Sequence, residues 1–150
     1  MQLDIGNIMG AYRKRVSLLQ DLLASLERER NHLIHQDIDG IWSTMEEKQK
    51  ILESIEETKV HMRNMAGMEL SYKDIPVKDR PSFAELSQTL TALKEEVKIR
   101  VCENISFITE TLDFFHEIIG AFAAAGNRQG SYGARKANSR QHGIMYHSEV

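Results

Sequence analysis

Apolar positions recur along the chain at spacings of three and four. From Ile8 they run through Tyr12, Val16, Leu19, Leu23, Leu26 and Leu33, with Arg30 the one exception. This heptad seam predicts an amphipathic helix over about 8–36 whose stripe must pack on another helix. The segment HQDIDG follows, and Asp37, Asp39 and Gly40 are residue types that cap helices and permit tight reversals. Beyond it a second seam reads Ile38, Ile41, Met45, Lys48, Leu52, Ile55, Lys59 and Met62, displaced by one residue from the first register. A register break at a capping sequence predicts an antiparallel hairpin, with a second helix over about 39–66; a bent continuous helix is the alternative.

Residues 67–82 hold Gly67, Pro76 and Pro81 without helical periodicity and predict a connector. Ser82 and Glu85 have capping-box spacing, so a third helix is expected over about 83–124. Its seam runs from Leu86, Leu90, Leu93, Val97 and Val101 to Ile105 and on to Phe122, with a stutter of four-residue steps between Leu93 and Ile105. After residue 125 the periodicity stops and four glycines appear among scattered basic residues, which predicts a flexible C-terminal tail. The expected fold is therefore all-α, an antiparallel bundle of three long helices with coiled-coil-like packing over 1–125, followed by a tail over 126–150.

Charge is uneven along this plan. Arg128, Arg135, Lys136 and Arg140 against Glu149 give the last 25 residues a net +3, and the overall −3 leaves −6 on the first 125. An acidic body is poorly suited to neutralising phosphates, so nucleic acid is not an expected partner. No apolar run reaches the length of a transmembrane helix, and the N-terminus lacks the apolar core of a signal peptide. No stable membrane insertion and a cytoplasmic location are expected.

Candidate chemistry is sparse. One cysteine, Cys102, excludes an intramolecular disulfide and a thiolate zinc site, and beside Val101 it reads as an ordinary helical cysteine. His32 and His35 lie one turn apart near Glu29 and Asp39, yet residues of these types are common at a hairpin end. Glu29 and His32 give one Glu-x-x-His pair of the two a bundle metal site requires. Phosphate loops, nucleophile elbows and zinc-protease motifs are lacking, so no catalytic residue, metal or cofactor is expected. For Lys48 and Lys59, on the second seam, the default is a stem covering apolar neighbours; Lys48 can instead pair with an acid near the turn.

The stretch from Leu18 to Glu57 resembles the N-terminal half of the FlgN family of flagellar export chaperones. The resemblance rests on Leu19, Leu22, Leu23 and Leu26, then Glu29, Leu33, Asp37, Ile41, Lys48, Leu52 and Ile55, and on a long third helix followed by Tyr132 and Gly133. It implies a non-enzymatic chaperone of type III export that binds hook-associated proteins of the hook-filament junction, keeps their terminal helices from assembling and delivers them to the flagellar export gate. On this reading the cargo site is Ile108, Leu112, Phe115, Ile119 and Phe122, adjoined by Phe114 and Ile118, because the stripe is wider than a three-helix core requires. The alternative is that these residues are intramolecular core. Tyr132 and Gly133 would serve gate or tail docking. Monomer and homodimer both fit. A coiled-coil scaffold without a client is the competing function, and a membrane-surface helix is disfavoured by Glu103, Glu110, Asp113 and Glu117.

Overall fold

The computed structural model describes residues 4–66 and 72–130. Three long helices account for nearly all of them: α1 (Ile5–Ile34), α2 (Ile38–Ala66) and α3 (Arg80–Gly130), with a 3₁₀ turn at Tyr72–Asp74. The all-α bundle expected from the heptads is therefore the architecture found. The chain divides into two compact units, Met1–Thr109 and Glu110–Val150.

Capping places the helix ends. Asp4 caps α1 by accepting from the Asn7 N–H at 3.2 Å, so the helix begins earlier than the apolar seam. Its C-terminus closes on Gln36 in the left-handed region at φ 56°, with Asp37 N–H donating to the His32 carbonyl at 2.9 Å and Gln36 N–H to Leu33 at 3.3 Å. Asp37 then caps α2, accepting from the Gly40 N–H at 3.0 Å. His32 Nδ1 reaches the other Asp37 oxygen at 2.9 Å, and a Cβ on Gly40 would fall 2.2 Å from that ring nitrogen, so glycine makes room for the pair. The three-residue reversal is the hairpin, and the continuous rod is excluded.

Antiparallel pairing of α1 and α2 is polar as well as apolar. Glu47 on α2 accepts from Arg28 at 2.5 Å and from Ser25 at 3.4 Å, and Lys48 donates to Glu29. The side of α2 turned inward is Ile41, Thr44, Lys48, Ile51, Ile55 and Thr58. Ile41, Lys48 and Ile55 are where the expected seam put them, while Ile38, Met45 and Leu52 are exposed and Thr44, Ile51 and Thr58 take the intervening inward positions. Thr44 and Thr58 return their hydroxyls to the carbonyls of Gly40 and Ser54, which lets a polar side chain sit in an interior position.

Helix α3 lies parallel to α1 within the first unit. Tyr12 meets Phe83 edge-on with centroids 5.0 Å apart, and Arg30 stands 6.0 Å over the Phe107 ring, which accounts for the arginine on the first seam. Leu19, Leu22, Leu26, Ile55 and Leu90 form the main core, supported by Leu93, Val97 and Val101. Met9, Ile75 and Phe83 form a second cluster in which the connector residue Ile75 is fully buried. The third helix starts at Arg80, ahead of the expected capping box, with Phe83 N–H bonded to the Asp79 carbonyl. It continues to Gly130, so residues 126–130 of the expected tail are helical; 131–150 lie outside the described residues.

Candidate functional site

Helical spacing along α3 sets the candidate site. In the first unit Leu90, Leu93, Val97 and Val101 pack inward, and the next inward residue is Asn104 rather than Ile105. Asn104 donates its side-chain amide to the Leu26 carbonyl at 3.1 Å and to Glu29 at 2.9 Å. Glu29 thus meets Lys48 with one oxygen and Asn104 with the other, and this polar layer ties all three helices. Ile105 and Ile108, on the neighbouring face, are exposed.

In the second unit, Leu112, Phe115, Ile119 and Phe122 recur at spacings of three and four along one side of α3. Glu110, Asp113 and Glu117 occupy the other side. The expected cargo residues are open to solvent, from 38% exposure at Ile108 to 75% at Phe122, with Ile118 half-buried. Phe114 and Phe115 stand with ring centroids 6.3 Å apart, tilted by 57°. Apart from the half-buried Ile118, these side chains are exposed among the described residues. Fully burying one such side chain stabilises by about 1.5–3 kcal/mol, so four of them supply roughly 6–12 kcal/mol before the cost of association.

The remaining candidates resolve simply. His32 is taken up by Asp37, and Glu29 by Lys48 and Asn104, while His35 Nδ1 lies 2.7 Å from the Asn31 carbonyl. Among the described residues no group of three or more potential ligands could hold a metal ion. Cys102 is exposed on α3. Lys48 pairs with an acid, as its position allowed, and Lys59 pairs with Glu56 at 3.1 Å. Among the described residues no helix is long and apolar enough to cross a membrane. Tyr132 and Gly133 lie outside the described residues. Sequence reasoning missed Asn104 and Thr44, which occupy interior positions that an apolar pattern cannot mark.

Fold and exposure together define an all-α helical protein that, among the described residues, presents an exposed apolar helix face. The family model described as FlgN protein matches residues 1–140. The chain belongs to the FlgN family, and its general role is that of a flagellar export chaperone. No curated protein and no solved structure matches it.

Proposed function

We propose that the chain is a cytoplasmic, non-enzymatic chaperone that binds the C-terminal helices of hook-associated proteins on Leu112, Phe115, Ile119 and Phe122, with Ile108, Phe114 and Ile118 adjoining. Bound in this way, a client helix is kept from assembling before export and is handed to the flagellar export gate, where Tyr132 and Gly133 serve docking. The observation that carries this reading is the exposed stripe of the second unit, whose three-and-four spacing suits an amphipathic helix laid alongside it. Acidic residues on the opposite side keep the helix in solution while the stripe stays open.

Calorimetric titration with C-terminal fragments of hook-filament junction proteins from the same genome tests it. Stoichiometric binding that disappears in Phe115→Ala, Ile119→Ala, with helicity unchanged, is the expected result. Absence of binding at tens of micromolar, where about 6 kcal/mol of free energy would already show, would favour a helical scaffold instead.

A further inference from the structure

Helix α2 carries a second apolar face, on the first unit, that no neighbouring helix among the described residues covers. Ile38, Met45 and Leu52 stand seven residues apart and Trp42 shares their side, with exposures from 44% at Met45 to 61% at Ile38. Such a row is a strict half-seam of a coiled coil. Beside it runs an acidic row of the same period, Asp39, Glu46 and Glu53, all exposed; Lys50 offsets one of these charges.

We infer that this face is a docking seam for a basic amphipathic helix of a partner protein. The partner's apolar stripe seats on Ile38, Trp42, Met45 and Leu52, and lysines or arginines on its flank meet Asp39, Glu46 and Glu53. Charge decides the occupant. A second copy laid antiparallel on this face would set the acidic row against itself, whereas a basic flank gains attraction along the whole seam. The inference rests on α2 alone and is independent of the cargo stripe on α3.

Trp42 is the sole tryptophan and reports occupancy directly. The full-length chain is titrated with a synthetic three-heptad helix carrying leucines in its seam and lysines on both flanks. A saturable blue shift of Trp42 emission is expected, weakened by salt, and the same peptide with glutamate flanks should bind about tenfold more weakly or worse. Met45→Ser, Leu52→Ser should abolish the shift while the chain stays helical and Tm falls only slightly, because both side chains are about half exposed. Phe115→Ala, Ile119→Ala should leave it intact. Equal binding of the two peptides, or a shift retained in the serine variant, would overturn the inference. So would Trp42 emission already shielded in the free chain: the protein then covers this face itself, through a second copy if the emission depends on concentration.

Discussion

The side-chain amide of Asn104 on α3 lies 2.9 Å from the Glu29 carboxylate on α1, and both residues are buried. Lys48 on α2 closes the other side of the same carboxylate. A charge in such a place is tolerated only with its partners present, so its effect is chiefly on which arrangement of helices is allowed.

Removing one partner should therefore hurt more than removing the pair. Glu29→Met strands Lys48 in a mostly buried site and should lower unfolding free energy by about 3 kcal/mol. The double change Glu29→Met, Lys48→Met should recover most of that loss, and Asn104→Ala alone should cost about 1–3 kcal/mol by leaving Glu29 and the Leu26 carbonyl short of a donor. Urea denaturation of the four proteins checks this; equal losses in the single and double variants would contradict the coupling.

Gln36 holds the left-handed position that ends α1, where a side chain costs about 1–2 kcal/mol relative to glycine. Gln36→Gly should raise Tm by a few degrees, a gain of about 1 kcal/mol after the greater chain entropy of the unfolded glycine is subtracted. Thermal unfolding by circular dichroism measures it.

Asp37 gives the turn a pH dependence. Its carboxyl is held below the ordinary 3.8, chiefly by the Gly40 N–H and further by His32, against an opposing effect of desolvation. A carboxyl with a depressed folded pKa contributes stability that is fully present above the unfolded value and is lost as pH falls through the folded one. The stability advantage of the wild type over Asp37→Asn should accordingly hold at neutral pH and shrink below pH 3.8. A difference that stays constant to lower pH would assign the cap no charge component.

Lys94 shows the opposite sign. Burial first, then the neighbouring charges of Arg15 and Lys59, lowers its pKa from 10.5. The folded state binds this proton less well than the unfolded chain, so stability rises as pH climbs through the lowered value and the penalty is gone above 10.5. Lys94→Gln should stabilise at neutral pH by less than about 1 kcal/mol, since water screens much of the repulsion. That gain should fade on approaching pH 10.5.

The helices and their order were legible because each carries its own apolar period. The hairpin was legible because Asp37 and Gly40 sit where the register slips. Along α3 the surplus of apolar positions was legible as a pattern, but whether those side chains are exposed or core was not. In the second seam Ile41, Lys48 and Ile55 face inward as expected, but Met45 and Leu52 give way to their neighbours Thr44 and Ile51: Met45 is the more apolar choice over Thr44, and Leu52 and Ile51 are indistinguishable by hydropathy.

Periodicity, capping chemistry and the uneven charge are local properties, and the sequence by itself determined them: three helices, one reversal, an acidic body and a helical stripe. The inward sides of α1, and of α3 as far as Val101, were in the seams too; the inward side of α2 at Thr44 and Ile51, and the place of Asn104 ahead of Ile105, belong to the tertiary structure. Thr44 satisfies its hydroxyl on its own helix, and the buried Glu29 carboxylate requires both Lys48 and Asn104. Those two contacts satisfy a buried carboxylate that would be costly to leave stranded, a requirement that no apolar period records.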